Sequence, residues 1–283
     1  MRALLETIEK VVDHDVNVLL LGESGSGKDH LARAIHACSR RREAAFVVID
    51  CASIPAELFE SELFGYEKGT FTDATSRKIG RLEAAGRGTV YFDEIGGLSP
   101  ALQAKLLRAV QDRIFTRLGG AQPVSLAARV ISSSSGDAST LRRDLFYRLN
   151  VVTLRVPPLR ERMEDVAALA RKFLARRKRA VREDALAMLQ SYHWPGNVRE
   201  LRNVIERAVI VEGGDVITPE ALPPLEGDLV ATAASAQWTL DELESRYIRE
   251  ILRQTRCNFS RTAAILGINR KTLLEKRRKY GIE

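Results

Sequence analysis

Gly22-Glu23-Ser24-Gly25-Ser26-Gly27-Lys28-Asp29 is the stretch that decides how this chain is read. It follows Asn17-Val-Leu-Leu-Leu21, an apolar run of strand length, and precedes His30-Leu-Ala-Arg-Ala-Ile-His36, whose apolar spacing is helical. Strand, glycine loop and helix in that order predict a loop whose backbone N–H groups wrap a polyphosphate. Lys28 supplies a cation near the terminal phosphates. Asp29 stands where such loops usually carry a Ser or Thr that ligates magnesium, and it is read as part of the Mg2+ site.

Working outward, apolar strand candidates recur at Phe46 to Asp50, Gly88 to Glu94, Ala128 to Ser132 and Val151 to Val156. Helical patterns lie between most of them, notably Pro100 to Asp112, with Leu102, Leu106, Leu107 and Val110 on one stripe. The alternation predicts an α/β fold, a mostly parallel sheet with helices on both faces. After Pro157-Pro158 the strands are expected to stop, leaving three helical segments: Met163 to Lys178, Arg182 to Ser191 and Asn197 to Val211. The expected organisation is a nucleotide-binding subdomain over 1–156, a helical lid over 157–212, a linker over 213–237 and a small all-α domain over 238–283.

Composition sets limits. Of the net charge of +7, most lies after Thr239, where eleven Lys or Arg face six Asp or Glu, so a polyanion is expected at that end. No apolar run approaches the roughly 20 residues of a membrane span, so no membrane partner is expected and the protein is placed in the cytoplasm, with the nucleoid. Cys38, Cys51 and Cys257 lack the paired spacing of metal sites and read as reduced thiols. The four histidines form no ligand cluster.

Val90-Tyr-Phe-Asp93-Glu94 is an apolar strand ending in two carboxylates. Strand ends in a parallel sheet line the edge where ligands bind. There Asp93 can hold magnesium, and Glu94 can orient and deprotonate the water that attacks the terminal phosphate. The transition state also needs positive charge, which Arg142, Arg143 or Arg148 in Leu141-Arg-Arg-Asp-Leu-Phe-Tyr-Arg148 can offer. Pattern alone leaves surface salt bridging open for them.

The closing segment carries Thr239-Leu-Asp-Glu242, a capping signal, then two short helical patterns meeting at Gly267. Ala263, Ala264, Ile265, Leu266, Ile268 and Leu273 suit the core of a helix-turn-helix. Ser260, Arg261, Asn269, Arg270, Lys271, Thr272, Lys276 and Arg277 are then the candidates to meet double-stranded DNA.

In order, GESGSGKD, ELFGYEKGTFTDA, GTVYFDEIGGL, LRRDLFYRLNVV, PPLRER and WPGNVRELRN make the chain similar to bacterial enhancer-binding proteins, the AAA+ activators of sigma-54 RNA polymerase. The last segment resembles their Fis-type helix-turn-helix. The resemblance implies ATP as the nucleotide, an acidic residue at Asp29 as the usual choice, Arg142 and Arg148 as arginine fingers acting on a neighbouring subunit, and Arg199 as the lid residue sensing nucleotide. It also implies dimers assembling into a hexameric ring. The loop Gly69-Thr70-Phe71-Thr72-Asp73-Ala74 aligns with the family's GAFTGA, and Phe71 and Thr72 become the pair touching sigma-54.

Four departures accompany the match. Thr70 and Asp73 replace an alanine and a glycine, and a positive torsion angle at position 73 would be costly for Asp. Asp50 replaces an asparagine that restrains the catalytic glutamate, and its charge is expected to repel Glu94. Ser132-Ser-Ser-Ser135 replaces a Thr-Asn pair, with Ser134 expected to serve for threonine. The stretch before Arg142 is short. Two functions therefore stand side by side: an ATP-driven activator binding enhancer DNA and remodelling sigma-54 polymerase, or a DNA-binding regulator whose ATP-binding domain serves assembly. A bare ATPase of replication or proteolysis does not account for ELFGYEKG or the basic end. With no receiver or ligand-sensing segment before Met1, control is expected from a separate regulatory protein or a lost domain.

Overall fold

The computed structural model describes residues 2–72, 74–136, 139–175, 177–223, 238–255 and 257–282. Five strands, β1 (Val18–Leu21), β2 (Phe46–Asp50), β5 (Thr89–Asp93), β8 (Arg129–Ser134) and β9 (Val152–Arg155), form one sheet in the order β2-β5-β8-β1-β9, and every pairing in it is parallel. All four residues of β1 and all six of β8 are buried, as strands covered on both faces must be. One face packs Leu19, Val90, Phe92 and Val130 against Leu102, Leu106 and Val110 of α5 (Pro100–Asp112). The other packs Val18, Leu20, Tyr91 and Ile131 against Ala32 and Ile35 of α2 (Lys28–Cys38) and against α1 (Arg2–Val11).

Arg129 opens β8 with a buried guanidinium, which donates to the carbonyls of Val11, Val12 and Val16 at 3.0, 2.7 and 3.4 Å. The guanidinium thereby ties the end of α1 and the segment after it to the start of β8.

Sequence patterning reached the five sheet strands, but not α3 (Ala56–Phe64), α4 (Arg81–Ala84) or two antiparallel ribbons, β3 (Gly65–Tyr66) with β4 (Lys78–Ile79) and β6 (Ile114–Thr116) with β7 (Pro123–Ser125). These strands are two or three residues long, too short to develop a period. Near the expected fingers lies α6 (Arg143–Leu149).

Beyond Pro158 come α7 (Glu164–Ala175), α8 (Glu183–Ser191) and α9 (Asn197–Val211). Strands do not stop there, however. β10 (Ala180–Val181) pairs in parallel with β11 (Val216–Ile217), so the first part of the expected linker is ordered structure. Residues 224–237 of that linker lie outside the described residues. The closing segment folds as α10 (Leu240–Gln254), α11 (Phe259–Leu266) and α12 (Arg270–Tyr280), with the predicted capping box of Thr239 and Glu242 in place.

Candidate functional site

The loop from Gly22 leaves β1 and ends in α2, as the flanking patterns predict. Gly25 and Gly27 have φ of 74° and 99°, a region open to glycine at little cost. A Cβ on Gly25 would also sit 2.5 Å from the carbonyl oxygen of Gly196. Lys28 is the first residue of α2 and is buried. Its Nζ donates to Gly22 O at 2.7 Å and Glu23 O at 3.1 Å, and lies 3.0 Å from Glu94 Oε1. Asp29 is exposed in the first turn.

Asp93 and Glu94 sit where β5 ends, beside this lysine. Tyr91, two residues back on the same side of the strand, donates its hydroxyl to Asp93 Oδ1 at 2.8 Å. Ser133 donates to the same oxygen at 2.6 Å, and its hydroxyl accepts the Glu94 N–H at 3.0 Å. Burial beside Asp93 pushes the Tyr91 hydroxyl far up, so it stays a donor. Glu94 adopts φ 52°, an uncommon region for a non-glycine residue. Its Oε2 accepts from the Ser135 N–H at 2.8 Å and the Ser135 hydroxyl at 2.7 Å. Burial alone would raise the Glu94 carboxyl; hydrogen bonds from Ser135 and Lys28 outweigh it and leave it below its ordinary value.

Two expectations change here. Ser134 does not take the threonine's place. Side chains alternate along β8, so Ser133 and Ser135 reach the two carboxylates while Ser134 is buried in the sheet. Asp50, expected to act on Glu94, has its carboxylate engaged by its own loop. Its Oδ1 accepts the N–H groups of Ala52 and Ser53 at 3.0 and 3.2 Å, closing a turn after β2. Together with burial, its charge pushes the Cys51 thiol up, so Cys51 is an inert core residue.

Sequence reasoning missed the residues that grip the loop from outside. Arg160, from PPLRER, forks onto Glu23 with contacts of 2.8 and 2.5 Å, and Arg162 donates to Ser26 O at 2.6 Å. Asn197 reaches Glu23 and Ser24 O, and Arg199 donates to Ser24 Oγ at 2.9 Å. The sequence signal for Arg160, Arg162 and Asn197 is their place in PPLRER and GNVREL, since long-range contacts have no local period.

Arg142 and Arg148 are exposed. Arg142 pairs with Asp144 at 2.7 Å, while its backbone N–H is held by the buried Gln103. Arg148 donates to Gln111 O at 2.9 Å. Both have their partners on α5 and α6 rather than on the phosphate loop of the same chain.

In the Gly69 to Ala74 loop, Gly69 N–H donates to Ala74 O at 2.8 Å and Ala74 N–H to Phe71 O at 3.0 Å. Phe71 is 45% exposed and packs edge-on against Tyr66, and Thr72 is exposed. Thr70 is more than an added branch. Its hydroxyl bonds to the carbonyls of Glu67 at 2.6 Å and Leu118 at 3.0 Å, fastening the loop base to the β6–β7 ribbon. Asp73, and with it the torsion expected there, lies outside the described residues.

In the C-terminal module Ile248, Leu252, Ala263 and Leu273 form the core, with Leu266 and Ile268 packed on it. Ala264 and Ile265, expected inside, are exposed, because the helix turns its Ala263 side inward. Arg270 and Lys271 are exposed at the start of α12, as are Ser260 and Arg261 on α11. Asn269 caps α12, accepting from the Thr272 N–H at 2.8 Å and from its hydroxyl. Lys276 pairs with Glu244 at 2.6 Å, and Arg277 lies over the Phe259 ring with its guanidinium 4.8 Å from the centroid. These last two are engaged within the module rather than held out to a partner.

Among the described residues no cluster of three His, Cys, Asp or Glu is placed to hold a metal, and no helix is long and apolar enough to cross a membrane.

Residues 1–155 match the Sigma-54 interaction domain, 160–237 the AAA+ ATPase lid domain and 239–280 the Bacterial regulatory protein, Fis family. The regulatory protein AtoC of Escherichia coli is 42% identical over 306 residues, covering 100% of this chain and 66% of the relative. The nitrogen fixation protein AnfA of Azotobacter vinelandii is 44% identical over 299 residues, covering 100% of this chain and 56% of its own length. The chain therefore spans somewhat under two thirds of these relatives. Among solved structures, NtrX from Brucella abortus in complex with ATP superposes with a TM-score of 0.72 at 35% identity, covering 100% of this chain and 68% of that one.

Proposed function

The chain belongs to the family of sigma-54-dependent transcriptional activators, and from that premise we propose that it is an ATP-hydrolysing regulator that binds DNA and remodels sigma-54 RNA polymerase. The observation carrying this reading is the convergence of Lys28, Asp93 and Glu94 beside a phosphate loop at the carboxyl ends of parallel strands. The NtrX relative, solved in complex with ATP and with ADP, supports the choice of nucleotide.

The substrate phosphates would draw Lys28 from Glu94. The released carboxylate then accepts a proton from the attacking water. Ser133 and Tyr91 keep Asp93 Oδ1 occupied, and Ser135 would hold Glu94 as its charge partner departs. The donors are oxygens only, which suits Mg2+; Asp93 and Asp29 would hold it, and the ion would supply positive charge against that developing on the phosphates. Arg142 and Arg148, exposed and turned to their own chain's α5 and α6, would serve the site of a neighbouring subunit in a hexameric ring. The helix-turn-helix would bring dimers to upstream DNA.

A second reading, a DNA-binding regulator whose nucleotide serves assembly alone, is favoured by Thr70, which fastens the loop that would have to move. In vitro transcription with sigma-54 polymerase and ATP separates them, run with the natural chain and with a Thr70→Ala, Asp73→Gly form. Activity in the natural chain supports the first reading. Activity in the altered form alone supports the second.

A further inference from the structure

Three consecutive carbonyl oxygens of the phosphate loop accept hydrogen bonds from outside it. Ser24 O accepts from Asn197 Nδ2 at 3.1 Å, Gly25 O from the Val198 N–H at 3.0 Å and Ser26 O from Arg162 Nη2 at 2.6 Å. In a trans peptide the C=O and the following N–H point in opposite directions, and none of the described peptide bonds is cis. Holding Ser24 O and Ser26 O from behind therefore aims the N–H groups of Gly25 and Gly27 to the other side, where phosphate oxygens would be received.

Asn197 does the most in this arrangement. It is completely buried, and its φ of 55° belongs to a left-handed region that Asn enters more readily than most residues. Its Oδ1 accepts the Leu159 N–H at 2.7 Å, and Nδ2 is shared between Ser24 O and Glu23 Oε2, both at 3.1 Å. One carboxamide thus joins three points: the strand-exit segment at Leu159, a loop carbonyl and a loop carboxylate. Arg160 donates to both Glu23 oxygens, sharing Oε2 with Asn197, so the carboxylate is held by two residues.

We propose that Asn197 is a positioning residue for the nucleotide, setting the Ser24–Gly25 peptide and the Glu23 carboxylate so that the loop amides are oriented before phosphates arrive. The inference rests on the ATP reading above. An amide already aimed loses less freedom on binding, so affinity is where the effect appears.

The test is titration of the full chain with MgATP, with turnover measured beside it. Asn197→Asp keeps the acceptor for Leu159 and the backbone tolerance, but removes both donors and sets a carboxylate against Glu23. Kd and KM for MgATP should rise about tenfold or more, with kcat changed about twofold at most. Glu23→Gln in that background lets the new amide donate to the new carboxylate, and should recover most of the affinity relative to Glu23→Gln alone. Unchanged affinity in Asn197→Asp overturns the inference. So does a loss of affinity that the pair fails to recover while the nucleotide-free melting temperature falls, which would mark a purely structural residue. A wild-type chain that binds no MgATP would instead remove the reading of the site itself, and this inference with it.

Discussion

Lys28 Nζ and Glu94 Oε1 stand 3.0 Å apart, so the cation proposed to meet phosphate and the carboxylate proposed to meet water neutralise each other. Glu94→Gln removes the base while leaving Lys28 less tightly held. It should bind MgATP at least as well as the wild type and turn it over about a hundredfold more slowly or worse. Equilibrium binding and phosphate release, measured on one preparation, check both halves.

Arg142 and Arg148 lie exposed with partners on their own α5 and α6. Alanine at either should leave nucleotide affinity unchanged and reduce turnover by about a thousandfold. Mixing Arg142→Ala with Lys28→Ala chains should restore part of the lost rate, since some interfaces regain a full set. No recovery on mixing would rule out action across subunits.

Thr70 fastens its loop through one hydroxyl and two carbonyls. Thr70→Val keeps the shape and deletes the bonds, a local loss of about 1 kcal/mol. Amide exchange at Phe71 and Thr72 should quicken, with little change in the melting temperature of the whole domain. Unaltered exchange would mean the loop is held by Tyr66 and its own turn.

Glu23 is kept below its ordinary value of 4.5 first by the hydrogen bond from Arg160, against the upward push of burial, with Asn197 adding to the lowering. A carboxyl depressed by folding adds stability above its unfolded value, and that stability is lost as pH falls through the lower folded value. Glu23→Gln should therefore melt below the wild type at neutral pH. The two curves should converge only once pH has fallen through the lowered folded value of Glu23, beneath its ordinary 4.5. A gap that persists in acid would place the effect in packing.

In the helix-turn-helix, Arg270 and Lys271 are exposed while Lys276 is paired with Glu244. Alanine at both exposed positions should abolish a specific footprint. Lys276→Ala should chiefly lower the module's melting temperature and leave the salt dependence of DNA binding almost unchanged. A salt slope reduced by about one on losing Lys276 would return that residue to the DNA contact set.

What was legible in the sequence was what repeats locally. The buried strands β1 and β5, the stripe of α5 and the Thr239 capping box each carry a period or a spacing. Asn197 carries neither: its partners lie 38 to 174 residues away in sequence. Ser133 was passed over in favour of Ser134 because which of four serines faces a carboxylate depends on the register of β8 against β5. Thr70 read as an intrusion because its acceptor, Leu118, sits in a ribbon too short to announce itself.

β8 has a grip at each end. Arg129 at its start clasps the last carbonyls of α1, and Ser133 and Ser135 at its finish hold Asp93 and Glu94. Over about 20 Å, one strand held between β1 and β5 thus fixes both where the first helix ends and where the two carboxylates stand.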